Sequence, residues 1–101
     1  MIDLWTVEPE RRGELLERIS EGLRSLLPGR AGFVSAQVYE SIDGGSVLVM
    51  MQMSTARDRQ LLTDSPECQR TMRELGAIAS AHLNIYRLVD SLAGADADAA
   101  R

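Results

Sequence analysis

The stretch from residue 33 to residue 54, FVSAQVYESIDGGSVLVMMQMS, decides the fold, because it holds two predicted strands and the turn between them. Asp43-Gly44-Gly45 tolerates positive φ and is a strong hairpin signal. In the first strand, residues 33–42, the even positions are mostly aliphatic and the odd positions are mixed. The returning strand, residues 46–54, is apolar on both faces over most of its length, which is typical of a central strand covered on both sides. The stretch therefore predicts an antiparallel hairpin within a larger sheet.

The segments on either side of this hairpin add two strands and three helices. Residues 2–7 form a short segment rich in apolar, β-branched and aromatic side chains, which predicts a strand. Residues 8–29 carry leucine and isoleucine at helical spacing between a Pro-Glu start and a Pro-Gly end, which predicts an amphipathic helix. Thr55 and Ser65 are typical N-caps, the second followed by proline, and predict two further helices. Residues 82–92 are predicted to form the last strand.

The order strand, helix, strand, strand, helix pair, strand predicts an α+β fold of the ferredoxin-like type. Right-handed crossovers give a four-stranded antiparallel sheet with its helices on one face. The other face carries too much valine, leucine and methionine to be left in water, and a second copy of the sheet is its simplest cover. We therefore expect one domain, residues 1–92, that forms a homodimer, followed by a disordered tail, residues 93–101.

Composition and charge exclude several functional classes. The 101 residues include 11 basic and 15 acidic ones, and the net charge of −4 argues against nucleic acid or a membrane surface as the main partner. Every basic residue is arginine, which excludes a Schiff-base lysine. One histidine and one cysteine cannot make a four-ligand zinc site or an intrachain disulfide, so no metal is expected. Residues 1–4 lack signal-peptide features and no apolar run could span a membrane, so we expect a cytoplasmic protein.

Three segments resemble the antibiotic biosynthesis monooxygenase family, whose members are small dimeric α+β barrel proteins. The first is a strand that runs into a Pro-Glu helix start, residues 3–10, and the second is a Pro-Gly turn with a strand entry, residues 27–36. The third is the hairpin at residues 41–55 together with Tyr86-Arg87-Leu88-Val89 in the last strand. The resemblance covers residues 2–92. It implies a dimeric barrel and, for the oxygenases of the family, oxidation of aromatic polyketides to quinones.

At three positions the sequence departs from residues that many members of this family use to hold substrate. Asp3 stands where many members have asparagine, and Val49 and Met53 stand where they have asparagine and tryptophan. The haem-degrading branch also uses a histidine on the second helix, and residues 66–80 contain none. The resemblance therefore implies the fold more directly than a particular activity.

Asp3 is the leading catalytic candidate, because it is a carboxylate within an otherwise apolar strand. Desolvation would raise its pKa towards neutrality, so that it could take a phenolic or ring-methylene proton from a polyketide. The resulting carbanion could pass an electron directly to dioxygen, and no cofactor is therefore expected. The alternative is that Asp3 is a solvated residue near a chain end.

Apolar side chains are predicted to line the substrate cavity, which in the family lies between the sheet and the helices. Residues four apart on a strand lie on the same face. Methionine thioethers give such a cavity deformable walls suited to a flat polycyclic ligand. The predicted substrate-binding residues of this kind are Trp5, Val49, Met51, Met53 and Met72. The alternative is that these side chains simply fill the core.

A polar line on the last strand supplies the other predicted site residues. His82, Asn84 and Tyr86 alternate along the strand, so they share a face, and each can exchange protons or hydrogen bonds. His82 and Tyr86 are predicted to be catalytic and Asn84 to bind substrate, with Tyr39 facing them from the second strand. The alternatives are solvent exposure for His82 and a structural role for Tyr86.

Together these features predict a cofactor-independent monooxygenase of secondary-metabolite biosynthesis. Its expected partners are a polycyclic aromatic polyketide, an anthrone or phenol that becomes a quinone, and dioxygen. Two alternatives use the same scaffold. One is a non-oxidative polyketide cyclase or isomerase with Asp3 or His82 as its base. The other is a non-catalytic dimer that binds a hydrophobic small molecule, which the missing asparagine and tryptophan favour.

Overall fold

The computed structural model describes residues 1–96, and within them strands and helices follow the predicted order. A short 3-10 turn, Pro9–Arg11, precedes the first α-helix. The elements are β1 Ile2–Thr6, α1 Arg12–Leu26, β2 Phe33–Glu40, β3 Ser46–Met53, α2 Ala56–Asp64, α3 Pro66–Gly76 and β4 Ser80–Asn84. The strands pair antiparallel in the order β2-β3-β1-β4, which confirms the ferredoxin-like α+β fold.

Side-chain caps define where α2 and α3 begin. The Thr55 hydroxyl accepts the backbone N–H of Asp58 at 3.0 Å, and the Ser65 hydroxyl accepts that of Cys68 at 3.3 Å. Each cap satisfies one of the N–H groups that a helix start leaves without an intrahelical acceptor. Pro66 occupies the first turn of α3, where its missing N–H costs no hydrogen bond. Both predicted caps are confirmed.

A β-bulge near the start of β2 changes which side chains reach the core. Phe33 pairs with Met53, but Ser35 pairs with Gln52, so Val34 is an extra residue in the ladder. Val34 is 53% exposed. The extra residue shifts the two-residue alternation, and Phe33 therefore joins the same face as Ala36 instead of staying with the odd positions.

The helices cover one face of the sheet, and the core lies between them and the two central strands. The main buried cluster draws on β1, β3, α1 and α3 and consists of Trp5, Val7, Leu15, Ile19, Val47, Val49 and Leu75. A smaller cluster under α2 consists of Leu27, Met51 and Leu62. Removing these apolar surfaces from water is the main favourable term in folding. It also creates the dry environment in which one polar side chain, that of Asp3, is buried.

The other face of the sheet is apolar and open. Leu4 on β1 is 41% exposed and Met50 on β3 is 38% exposed, and these two residues belong to the face opposite the helices. The prediction that β3 is a central strand is confirmed by its position between β2 and β1. Cover on its second face stays a prediction, since Met50 is exposed there. In the part of the chain that the structure describes, the second apolar face lacks a covering helix, and the predicted homodimer stays a prediction.

The last strand differs from its prediction. β4 covers Ser80–Asn84 and not residues 82–92. Asn84 pairs with Ile2, the first residue of β1, so the chain beyond Asn84 has no strand of this sheet beside it. Residues 85–92 are exposed and without regular secondary structure. Of the predicted tail, residues 97–101 lie outside the described residues.

Across residues 1–96, no helix is long and apolar enough to cross a membrane.

Candidate active site

Strand β1 places Asp3 and Trp5 on the helix-covered face. Asp3 is paired with Val49 on β3 and with Leu83 on β4, and Trp5 is paired with Val47 and Ala81. Directly opposed residues in antiparallel strands project to the same side of a sheet. The Asp3 carboxyl therefore lies against aliphatic neighbours beneath the helices.

Asp3 is buried, and the positive charge of the N-terminal ammonium compensates its carboxylate only in part. The residue is 8% exposed, and its Oδ1 atom finds no hydrogen-bond partner among residues 1–96. Burial raises the pKa of the Asp3 carboxyl from 3.8 to about 6, because a low-dielectric environment disfavours the ionised form. A buried polar atom with no partner is uncommon in folded proteins and marks a functional candidate. The reading of Asp3 as a solvated residue does not fit this burial.

An inner pocket of about 60 Å³ lies between the sheet and α1 and α3. Its walls are almost entirely apolar, and Asp3 contributes the carboxyl at one side. The side chains that form it include those of Trp5, Leu23, Val49, Met51, Met72 and Leu75. Four of the predicted site residues besides Asp3 thus line one pocket, namely Trp5, Val49, Met51 and Met72.

An outer cleft of about 400 Å³ shares Met1, Asp3, Cys68 and Met72 with the inner pocket. Its remaining wall includes Arg73 on α3 and Leu83 on β4. The volume falls within the range of roughly 300–1,000 Å³ that is typical of small-molecule sites. Asp3 is therefore in contact with two spaces of very different size.

Cys68 is half-buried at the boundary of these two spaces. Burial raises the pKa of its thiol, and the negative charge of Asp3 raises it further. The thiol is consequently held in its neutral form at neutral pH, which disfavours a nucleophilic role.

The structure does not bring the predicted polar line to Asp3. Leu83 is the β4 residue paired with Asp3, whereas His82 is paired with Leu4 and Asn84 with Ile2. His82 and Asn84 therefore lie on the open face of the sheet, on the other side from the inner pocket. The prediction that His82 and Asn84 share one site with Asp3 is therefore wrong, because the register places them on the opposite face of the sheet.

Tyr39, Met53 and Tyr86 also lie away from the inner pocket. Tyr39 is paired with Leu48 on the open face and is 51% exposed. Met53 is on the helix side, as expected, but it lines a separate groove with Tyr86 at the ends of β1 and β3. That groove measures about 640 Å³ and is bordered by residues 86–90. These three predicted site residues are therefore not in contact with Asp3.

The sequence-based reasoning missed the residues of α3 and β4 that border the outer cleft, which are Gln69, Arg73 and Leu83. A signal was present, because positions 69, 72 and 73 lie on one side of a helix. Their position over Asp3 depends on how α3 docks on the sheet. Within residues 1–96, no group of three or more histidine, cysteine, aspartate or glutamate side chains is placed to hold a metal ion.

No protein-family model matches the chain, and comparison with curated proteins found no significant match. Solved structures do match. SnoaB, a cofactor-independent oxygenase from Streptomyces nogalater, superposes with a TM-score of 0.71 at 14% identity, covering 90% of this chain and 92% of that one. The ActVA-Orf6 monooxygenase of Streptomyces coelicolor, in complex with nanaomycin D, gives 0.65 at 19% identity and 89% coverage of both chains. A third, described as an antibiotic biosynthesis monooxygenase, gives 0.70 at 9% identity and covers 89% of this chain and all of that one.

The chain shares the fold of the antibiotic biosynthesis monooxygenases. This confirms the resemblance noted from the sequence at the level of architecture, because the superpositions cover 89–90% of this chain with TM-scores of 0.65–0.71. At 9–19% identity the likeness concerns the fold and leaves the chemistry to be argued from the site itself.

Proposed function

We propose that this protein is a cofactor-independent monooxygenase that oxidises a polycyclic aromatic polyketide, an anthrone or phenol, to a quinone. The observation that carries the proposal is the buried Asp3 carboxyl, which has no hydrogen-bond partner at Oδ1 and borders a cleft large enough for an organic ligand. A general base works best when its pKa lies near the working pH. With a pKa of about 6, Asp3 is about 90% ionised at pH 7 and can still return a proton.

The proposed reaction uses Asp3 to take a proton from the ring methylene of the substrate. The carbanion gives one electron to dioxygen, and the two radicals combine to form a carbon–oxygen bond and a peroxide. Asp3 returns its proton to the peroxide. Asp3 then removes the second hydrogen of the former methylene carbon as a proton while the oxygen–oxygen bond breaks. The quinone carbonyl forms, and the departing hydroxide takes up this proton to become water. An anthrone and dioxygen become a quinone and water, and the substrate supplies every electron that reduces dioxygen.

The apolar surroundings of Asp3 support this chemistry in two ways. They keep water from the carboxyl, so that its pKa stays high and its basicity is greater than in solution. They also offer a flat aromatic ligand the side chains of Met72 and Leu83, which border the outer cleft. The fold supports the proposal as well, since proteins of this architecture include cofactor-independent oxygenases.

We further propose that the protein acts as a homodimer in the cytoplasm. The apolar face that includes Leu4 and Met50 supports dimer formation, because a second copy would remove it from water. Exposed apolar residues after β4, among them Ile85, Leu88 and Val89, add to the surface that a partner copy can cover. The single cysteine is compatible with a reducing compartment.

Oxygen uptake with anthrone tests the function directly. Purified protein in the presence of a chelator and without added flavin is expected to consume oxygen faster than a buffer blank and to release anthraquinone. Replacing the base, Asp3→Asn, should lower turnover by roughly 10²–10⁴-fold. Glu17→Gln, which makes the same carboxyl-to-amide change at an exposed position on α1, should leave turnover unchanged.

The pH dependence of this reaction identifies the base. Activity requires ionised Asp3, so kcat/KM should rise with pH and reach half its maximum at about 6. Product without oxygen uptake would instead indicate a cyclase or isomerase. Binding of the anthrone with neither product nor oxygen uptake would indicate a ligand-binding protein.

A further inference from the structure

The two spaces that meet at Asp3 differ in what they can hold. The outer cleft, at about 400 Å³, has room for a fused aromatic ligand. The inner pocket, at about 60 Å³, is less than half the size of the cavity of about 150 Å³ that accepts a benzene ring in an engineered protein. An aromatic substrate therefore fits the outer cleft, and the inner pocket is left for something much smaller.

The chemistry of the inner pocket restricts that small occupant further. Space of this size exceeds what one water needs, but an ordered water also requires two to four polar partners. The deep walls are made by aliphatic and thioether side chains, including those of Leu23, Val49 and Leu75. Thr71 approaches Gly22 with its methyl group, which lies 2.9 Å from where a Cβ on Gly22 would stand. The methyl group of Thr71 thus faces this part of the wall. Apart from the Asp3 carboxyl at one side, the wall offers water few polar partners, so the pocket favours a small apolar molecule over water.

We propose that the inner pocket is a dioxygen site. The proposal rests on the function proposed above, which requires dioxygen beside the carbon that loses a proton to Asp3. Asp3 borders both spaces, so a substrate carbon placed at its carboxyl faces the inner pocket. Dioxygen is small, apolar and uncharged, and it matches the size and the walls of this pocket. The carbanion would thus form next to its oxidant and away from bulk water.

Binding of dioxygen itself tests the assignment without any turnover. Dioxygen is paramagnetic and speeds the relaxation of nearby methyl groups, so methyl NMR under oxygen pressure, with nitrogen at the same pressure as reference, locates it. The methyls of Leu23, Val49 and Leu75 are expected to relax much faster under oxygen. Those of Val47, fully buried on the same strand but outside the pocket, provide the internal control.

A pair of matched variants tests the role of the pocket in the reaction. Val49→Ile adds one methylene to the pocket wall and should raise KM for dioxygen by roughly tenfold, because a single methylene in a tight apolar pocket has effects of this size. KM for anthrone should stay within twofold (about the reproducibility of such assays), since Val49 does not border the outer cleft. Val47→Ile makes the same change two residues away and should leave KM for dioxygen unaltered.

The outcomes separate this inference from the proposed function. Equal relaxation of the Val49 and Val47 methyls, or equal KM values for dioxygen in the two variants, overturns the dioxygen site while oxygen uptake by the wild type still supports the oxygenase. Absence of oxygen uptake by the wild type overturns both. Enhanced relaxation at Val49 with a raised KM for dioxygen in Val49→Ile alone supports the site.

Discussion

Asp3 and Val49 form a directly opposed pair across β1 and β3, so a carboxyl group lies against an aliphatic side chain on the covered face of the sheet. The Oδ1 atom of this carboxyl has no hydrogen-bond partner within the described chain. Such an arrangement costs folding free energy, because the charged form has lost water and the N-terminal ammonium offsets only part of that loss. Proteins tolerate that cost mainly where function needs it.

The cost of burying Asp3 predicts a pH-dependent difference in stability between the wild type and Asp3→Asn. The native state binds a proton up to about pH 6, whereas the unfolded state releases it near 3.8. The wild type therefore loses stability as pH rises from about 4 to 6, by up to about 3 kcal/mol. Asp3→Asn lacks this loss and should be about 1–3 kcal/mol more stable than the wild type at pH 8. At pH 4 the two proteins should differ much less.

Urea unfolding followed by circular dichroism at several pH values measures this difference. Subtracting the two free energies of unfolding at each pH removes the contribution of the titrating groups that do not interact with Asp3. Glu17→Gln should show no such trend, because its carboxyl is exposed. A free-energy difference between Asp3→Asn and the wild type that stays flat from pH 4 to 8 would contradict the burial of an ionisable Asp3.

The thiol of Cys68 reports on the charge of Asp3. The Asp3 carboxylate is the second cause, after burial, that raises the pKa of Cys68. Removing that charge in Asp3→Asn should lower the thiol pKa, increase the thiolate fraction and speed alkylation by iodoacetamide at pH 8. Glu17→Gln should react at the wild-type rate. An unchanged rate in Asp3→Asn would show that the two groups are not electrostatically coupled.

Gly29 and Gly32 have nearly the same backbone conformation but different surroundings. Comparing alanine substitutions at the two positions therefore distinguishes the cost of backbone strain from the cost of a steric clash. Gly29 has φ +77° with open space around it, whereas Gly32 has φ +80° and an added Cβ would collide with Asp58. Asp58 also accepts a hydrogen bond from the Thr55 hydroxyl at 2.8 Å at the start of α2. Gly29→Ala should cost about 1–2 kcal/mol from its left-handed backbone alone. Gly32→Ala should cost a further 1–3 kcal/mol or so, because the neighbouring helix start must move.

Urea unfolding of the two variants at one pH gives both free energies. Equal losses for Gly29→Ala and Gly32→Ala would mean that the contact with Asp58 relaxes freely. A larger loss for Gly29→Ala would contradict the packing of α2 against the entry to β2.

Local signals predicted the elements that depend on local chemistry. The caps at Thr55 and Ser65 and the Asp-Gly-Gly turn each act within a few residues, and all three form as expected. In the turn, the Asp43 carboxylate accepts the N–H of Gly45 at 3.0 Å. Among the residues that join Asp3 in the inner pocket, the strand residues Trp5, Val49 and Met51 also followed from the two-residue period of a strand.

Features that depend on distant parts of the chain could not be read in this way. β4 ends at Asn84 because its neighbour β1 begins at Ile2, although the sequence beyond Asn84 remains rich in strand-forming residues. The face on which His82 lies depends on the register between β1 and β4, and a shift of one residue would reverse it. The bulge at Val34 likewise depends on the pairing of β2 with β3.

The open sheet face predicts that a single charge at Met50 will prevent self-association. Met50 lies in the middle of β3 on this face and is 38% exposed. In a two-fold dimer each substitution occurs twice, so Met50→Glu would bury two unpaired carboxylates and should reduce dimer affinity by at least 100-fold or so. Light scattering after size exclusion should give about 22 kDa for the wild type, twice the chain mass of 11.1 kDa, and 11.1 kDa for the variant. Leu61→Glu, at an exposed position on α2, should remain dimeric, and a wild type of monomer mass would contradict the proposed interface.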